Sequence, residues 1–451
     1  MQPIFALILC SAFVLYLLRL ESRQSHDVSI ALWVPTAWLL LVSIKPLGIW
    51  FGMGGSDMEA GSPLDRNIIT ILIIMGLIIL AMRRFSWVQS VRRYPSLYML
   101  VGYMFISTLW SDMPYVSLKR CIRNGVAPII MAFIITSEKN PQTAVESIMR
   151  RVIYVLIPFS YILVHYFPEY GREYGRWTGQ LMWIGVATQK NGLAGLCLLT
   201  IIYLIWSIIR RGHEGEMLVE RSQVYVEIFI LSLAIWLFMG PSHSLTYSAT
   251  STAALVVGLI TLINLFRMKK RKRLISANTT MIITAVIVVL GTITPFSGGW
   301  IVTYVAPILN RQETLTGRTD IWEYLIPYAM DKIILGHGYG GFWTDAHRAA
   351  SSSHAHNGYL DIILDLGLVG LALFSLYLLQ CCRYSQRIMM QDFEWGSLCL
   401  TILIIMLVHN IGESSLTSLS GLGSALILFL LMSMHDTIRK LNNDMKIKHI
   451  S

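Results

Sequence analysis

The stretch RNIITILIIMGLIILAM, residues 66–82, followed at once by Arg83 and Arg84, decides the fold class. Apolar residues fill every face of this run, so it has no polar side to offer water. A run of this kind crosses a bilayer as a helix, because only a helix or a closed barrel satisfies its own backbone N–H and C=O groups in hydrocarbon. Similar runs fill most of the chain: 3–20, 29–44, 96–110, 122–136, 152–167, 191–209, 225–240, 248–266, 279–296, 357–380, 395–411 and 420–434. The composition agrees, with 451 residues, 55% hydrophobic, 14% charged and a mean hydropathy of +0.58. The expected fold is an all-α integral membrane protein of about 12–13 transmembrane helices.

Arg83 and Arg84 also orient the chain. Arg19 and Arg23, Arg83 to Arg93, Arg150 and Arg151, Arg210 to Arg221, Arg267 to Arg273, and Arg383 and Arg387 fall in alternate loops. By the positive-inside rule these loops face the cytoplasm, with the tail carrying Arg439, Lys440, Lys446 and Lys448. The net charge of +10 is explained this way, and no linker is long enough to form a basic soluble module for nucleic acid. The run after Pro3 has no basic residue before it and Arg19 after it, so it reads as a span and not a cleaved signal. The six cysteines form no C-x-x-C pair, and no role is assigned to them. No repeat period is visible, which makes residues 1–451 one polytopic domain. Its one long outer segment is 297–356, a periplasmic loop in which Ile321, Trp322, Leu325, Ile326 and Ala329 recur at helical spacing. A loop this long without strands is usually a lid or a site.

That segment carries the sharpest patterns. They are Thr316-Gly-Arg318-Thr-Asp320-Ile-Trp322, then Gly336-His337-Gly338-Tyr-Gly340, then His356-Asn357 followed after nine intervening residues by Gly367-Leu-Val-Gly370. In order and spacing this region, about 316–370, resembles the signature of the O-antigen ligase and polymerase superfamily, especially its exopolysaccharide-polymerase branch. Trp110-Ser111, Ser117-Leu-Lys-Arg120 and Lys190-Asn191-Gly192 resemble that branch more loosely. The resemblance implies a GT-C-like glycosyltransferase of the bacterial inner membrane with its active site facing the periplasm. The implied donor is an undecaprenyl-diphosphate-linked oligosaccharide. The acceptor is a glycan or lipid A-core, and a chain-length regulator and membrane lipids are further partners. No cofactor and no metal are expected, since no D-x-D is present.

The residues have a chemistry of their own. A lipid diphosphate presents two phosphates at the membrane surface, and arginine binds them through a planar fork that never loses its charge. Arg318 suits that role on the outer amphipathic stretch. Arg172, Arg176 and Lys190 flank a second outer loop, 168–190, and are candidates to complete the clamp. Basic residues near span ends also snorkel to lipid headgroups, which is the ordinary alternative for each. His356 stands where a span begins, and imidazole titrates near neutrality, so it is the candidate base for an acceptor hydroxyl. The resemblance implies that the matching histidine is required. His354 and His337 stay open as alternatives, and Asn191, Asn357, Gly338 and Asp320 are candidate contacts to sugar or phosphate. Ligation onto lipid A-core is the rival within the enzyme class. Outside it the rival is a lipid-linked oligosaccharide flippase, which should line a central cavity with charges inside its spans.

Overall fold

Pro3, Pro63, Pro95, Pro114 and Pro141 each open a helix in the computed structural model, at the position where a missing N–H costs nothing. The structure describes residues 2–25, 27–52, 62–175, 179–214, 221–243, 245–271, 276–298 and 317–434. Each expected span falls on a helix. They are α1 (Pro3–Gln24), α2 (Trp33–Ser43), α3 (Pro63–Met82), α4 (Pro95–Ile106), α5 (residues 114–136), α6 (Pro141–Tyr166) and α7 (Lys190–Glu214). After these come α8 (Arg221–Met239), α9 (Ala249–Lys270), α10 (Ala277–Phe296), the site helix α11 (Arg318–Asp331), α12 (Gly358–Met389), α13 (Phe393–Gly412) and α14 (Leu422–Met434). Eight of the helices are long and apolar enough to cross a membrane by themselves, so the chain is a multi-pass integral membrane protein. Among the described residues the departure from helix is one small antiparallel hairpin, Arg172–Tyr174 paired with Leu181–Trp183.

Burial separates centre from periphery. The apolar window of α13 is 83% buried, whereas those of α1 and α3 are 22% buried. On α3 the side chains of Ile71, Ile74 and Ile78 point outward, as on α1 do Ile4, Ile8 and Leu15, so these helices present the lipid face.

Ion pairs tie together the span ends that the basic-residue pattern assigns to one face. Arg83 meets Glu138 at 2.8 Å, Arg151 meets Glu21 at 2.7 Å, and Glu146 binds both Arg150 and Arg210 at 2.9 and 2.7 Å. Arg211 pairs with Glu227, and Lys269 with Glu394. The described parts of the segments expected outside, including 168–190 and 317–357, gather at the opposite ends of the same helices. Lys272, Arg273, residues 299–316 and the basic residues of the tail lie outside the described residues.

Two irregularities shape that opposite face. In α5 the five residues Ile122–Val126 widen into a π segment just before Pro128. Proline cannot donate to the carbonyl four residues back, so Asn124 O is left over. Leu419 N donates to it at 3.2 Å, and Ser420 Oγ donates to Asn124 Oδ1 at 3.0 Å. In α12 the helix breaks at Gly367, where φ is +66° and ψ −167°. A Cβ there would stand 2.2 Å from Ile334 O, so only glycine fits. The N–H groups freed by the break are taken up across the gap, Leu368 N by Ile333 O at 2.8 Å and Val369 N by Ile334 O at 3.2 Å.

Candidate active site

Helix α11 forms where the amphipathic spacing predicts it, with Trp322, Leu325 and Ala329 buried against Phe342, Leu360 and Leu364. Its indole anchor, Trp322 Nε1, donates to Ala355 O at 2.8 Å and fastens the helix to the turn before α12. That turn is held from a second side by Asp361. Its carboxylate accepts from Ala355 N and Trp343 Nε1, both at 3.1 Å, and from Ser414 Oγ. Asn357 caps α12 by accepting from Leu360 N at 2.9 Å, while its amide donates to Gly291 O and Ile411 O at 2.9 and 3.0 Å. Between these anchors His356 is forced into the left-handed region, φ +51°, which a β-carbon makes unfavourable.

The frame brings Arg318 and His356 onto one carboxylate. Arg318 Nη2 binds Glu413 Oε1 at 2.5 Å, and His356 Nδ1 lies 3.4 Å from Glu413 Oε2. Asn191 Nδ2 also donates to Glu413 Oε1, at 2.5 Å, and Ser248 Oγ donates to Asn191 Oδ1 at 3.3 Å. Arg318 Nη1 reaches Thr250 Oγ1 at 3.3 Å. On the far side of the imidazole, Ser352 Oγ stands 3.4 Å from His356 Nε2. His354 packs edge-on to His356 with ring centroids 4.1 Å apart, and its Nε2 is 3.3 Å from Gln189 Nε2. Helices α7, α9, α11 and α13 and the turn before α12 thus converge on Glu413.

Electrostatics fix the charge of Glu413 and His354. Burial pushes the Glu413 carboxyl up, but the Arg318 guanidinium, then His356 and His354, pull it down to about 2. An ionised carboxylate only accepts, so Nδ1 is the donor nitrogen of His356 towards Glu413, and Nε2 is the nitrogen on the side of Ser352. Burial, then the neighbouring His356, lower His354 to about 4, which leaves it neutral near pH 7. His354, His356 and Glu413 also place three metal-type ligand atoms within 4.8 Å of one another. The guanidinium on Glu413 already neutralises that carboxylate and repels a dication, so the donor set fits a cation poorly.

The other expected residues are dispersed. His337 sits under Phe342, with Nδ1 3.3 Å from Asp112 Oδ2 and Nε2 3.1 Å from Tyr328 O. Gly338, φ +89°, packs on Ser111, where a Cβ would come within 2.5 Å of that side chain. Arg172 Nε donates to Val164 O at 2.7 Å, beside the hairpin. The Lys190 ammonium lies 5.6 Å from the Tyr247 ring centroid at the start of α7, next to Asn191. Asp320 is exposed on α11, and Arg176 lies outside the described residues. The sequence reading passed over Glu413, Thr250, Ser248, Ser352, Gln189 and Asp361. Glu413 carried a signal, since an acid at the mouth of an apolar span is costly unless something pairs with it.

A polytopic helical protein with a cationic and imidazole-bearing site at one membrane face is the class this geometry defines. Residues 242–375 match the family model described as O-Antigen ligase (Wzy_C). That stretch holds Thr250, Arg318, His354, His356 and Asn357, and stops short of Glu413. The chain is also similar to "Exopolysaccharide production protein ExoQ" of Rhizobium meliloti (strain 1021). The two are 23% identical over 290 residues, which is 60% of this chain and 61% of the relative. The match therefore spans about three fifths of the relative's length.

Proposed function

We propose that this protein is a membrane glycosyltransferase of the polysaccharide polymerase type, acting at the periplasmic face of a bacterial inner membrane. It transfers an undecaprenyl-diphosphate-linked oligosaccharide to an acceptor sugar hydroxyl. The observation that carries this reading is the carboxylate of Glu413 holding Arg318 and His356 together at the outer ends of the spans. Arg318 keeps donors beyond its contacts to Glu413 and Thr250, and they bind the diphosphate of the donor. The acceptor hydroxyl takes the place of Ser352 Oγ at His356 Nε2. As its oxygen attacks the anomeric carbon, the proton passes to Nε2, and the bond from that carbon to the diphosphate oxygen breaks. The diphosphate leaves on its lipid against Arg318, and a single displacement of this kind inverts the anomeric centre. Glu413 stabilises the imidazolium that forms. Arginine here supplies the charge that a divalent ion supplies elsewhere.

The family description favours a second acceptor, lipid A-core, with the same donor chemistry. A flippase is disfavoured, because the buried arginines near the basic ends of the spans are paired with glutamates. Surface glycan from a deletion strain separates the readings. Loss of polymer with a single repeat unit still made supports polymerisation; polymer left on the carrier lipid means ligation; repeat units retained in the inner leaflet would mean a flippase and would refute the proposal.

A further inference from the structure

We propose that Arg123, with Arg120, forms a second anion site on the outer face, which takes the diphosphate of a lipid-linked acceptor. This rests on the glycosyltransferase reading, in which the growing chain leaves one lipid diphosphate and joins sugar carried on another. Arg123 is exposed at the mouth of α5 and forms no hydrogen bond or ion pair with any described residue. The arginines of the opposite face that pair with Glu21, Glu138, Glu146 and Glu227, and Arg318 at the first site, are all engaged. Arg120 lies one turn earlier on the same side of the helix and donates to Gly340 O, leaving most of its fork open. The charged and titratable groups that face Arg123 are Asp65, Arg120 and Tyr339. Asp65 forms no ion pair with either arginine; its Oδ1 accepts from Leu47 N at 2.9 Å. Two carboxyls stand by the pair, Asp65 facing Arg123 and the buried Asp365 facing Arg120, and Lys119 is held over the Tyr115 ring 4.0 Å away.

The backbone gives the pair its position. Arg123 belongs to the π segment, an irregularity often found where a helix carries function. Its neighbour Asn124 is bonded through both oxygens to Leu419 and Ser420. The same loop begins at Glu413 and is fixed by Ser414 to Asp361 and by Ser415 to His409, 2.6 Å away. The two cationic sites are therefore joined by one short, tightly bonded segment, with His356 on the Arg318 side. A donor at Arg318 and an acceptor anchored at Arg123 then bring donor anomeric carbon and acceptor sugar to the same imidazole.

Phosphate at this place could come from an acceptor diphosphate or from a phospholipid headgroup, and both bind arginine through the same oxygens. The test is equilibrium binding of radiolabelled geranylgeranyl diphosphate to the full chain in detergent, with and without phosphatidylglycerol. The expected result is two diphosphates per wild-type chain and one for Arg123→Gln. The lost site should be weakened about ten- to a hundredfold, as for a charged hydrogen-bonding contact. The remaining site of Arg123→Gln should be abolished by adding Arg318→Gln, and phosphatidylglycerol should displace neither. Two diphosphates still bound by Arg123→Gln, or displacement of the Arg123-dependent one by phosphatidylglycerol, overturns the proposal. Loss at Arg123→Gln with two sites retained in Arg318→Gln supports the second site and refutes the donor role of Arg318.

Discussion

Replacing Glu413 by glutamine removes one charge from the point where Arg318, His356 and Asn191 meet, with almost no change of shape. The carboxyl is moved from 4.5 to about 2 in the folded protein, which at about 1.4 kcal/mol per tenfold in acidity corresponds to about 3 kcal/mol. Because the folded value lies below the unfolded one, this stabilisation is fully present above the ordinary carboxylate range and is lost only as pH falls towards 2. Between pH 5 and 8 the glutamate stays charged, so an acidic limb of activity in that range does not come from it. Glu413→Gln should lower thermal stability in detergent by about 3 kcal/mol, since it leaves a buried guanidinium without its anion. Its effect on turnover has a separate cause. An amide can donate to Nδ1 and so permits the tautomer with the proton on Nε2, which cannot act as a base. By comparison with other carboxylate and histidine pairs, turnover should fall about 10²–10⁴-fold while donor binding persists. The assay is single-turnover transfer from a lipid-linked donor by purified protein at a temperature where both forms are folded. A Gln variant that is less stable yet turns over at the wild-type rate would leave Glu413 a purely structural residue and would remove the reasoning about the tautomer.

His356→Ala and His356→Gln should each slow transfer about 10²–10⁴-fold, with the acidic limb of the pH profile lost; recovery of activity in the Gln variant would rule out His356 as the base. Arg318→Lys should fail to restore transfer although it keeps the charge, because an ammonium cannot reproduce a forked contact to diphosphate, and near-normal transfer at normal protein level would contradict that. His354, held near 4 by burial, should make the protein less stable as pH falls from about 6.5 towards 4, since the unfolded chain takes up a proton that the folded chain refuses. Thermal melts across that range should show a smaller decline for His354→Gln, and an equal decline would assign the effect to another group. An impermeant thiol reagent should label a cysteine placed at Ser352 in intact cells, and protection there would reverse the topology; the six native cysteines are all buried and give little background.

The spans were legible because each is an uninterrupted apolar run, and hydrocarbon leaves a chain of that composition few other structures. The face assignment came from arginines at alternate ends, and the ion pairs of Glu21, Glu138, Glu146 and Glu227 join those same ends. Arg318 and His356 were readable from chemistry and order along the chain. Their meeting was not, because it is made by Glu413, which lies 57 residues beyond His356 in sequence. His337 is a different case. A histidine among glycines has the composition of a site, but its two ring nitrogens are engaged by Asp112 and Tyr328 in the packing under α11. The hairpin at 172–183 was missed because three-residue strands leave no periodicity to detect.

The break at Gly367 separates the first turns of α12, which support the site, from the longer remainder of the helix. Membranes of different thickness tilt a spanning helix, and an unbroken α12 would act as a lever. Its first half extends about 13 Å from Gly358 to Leu366, so a tilt of about 10° would swing the end next to His356 by about 2 Å. A displacement of about 1 Å can cost a hundredfold in rate. With the helix severed, the site half is fastened instead to the protein, by His337 N on Leu364 O at 2.8 Å and by the Tyr103 hydroxyl on Leu366 O at 3.3 Å. The two halves of α12 are then joined through Gly367 and the bonds to Ile333 and Ile334, a hinge at which a change of tilt can be taken up before it reaches His356.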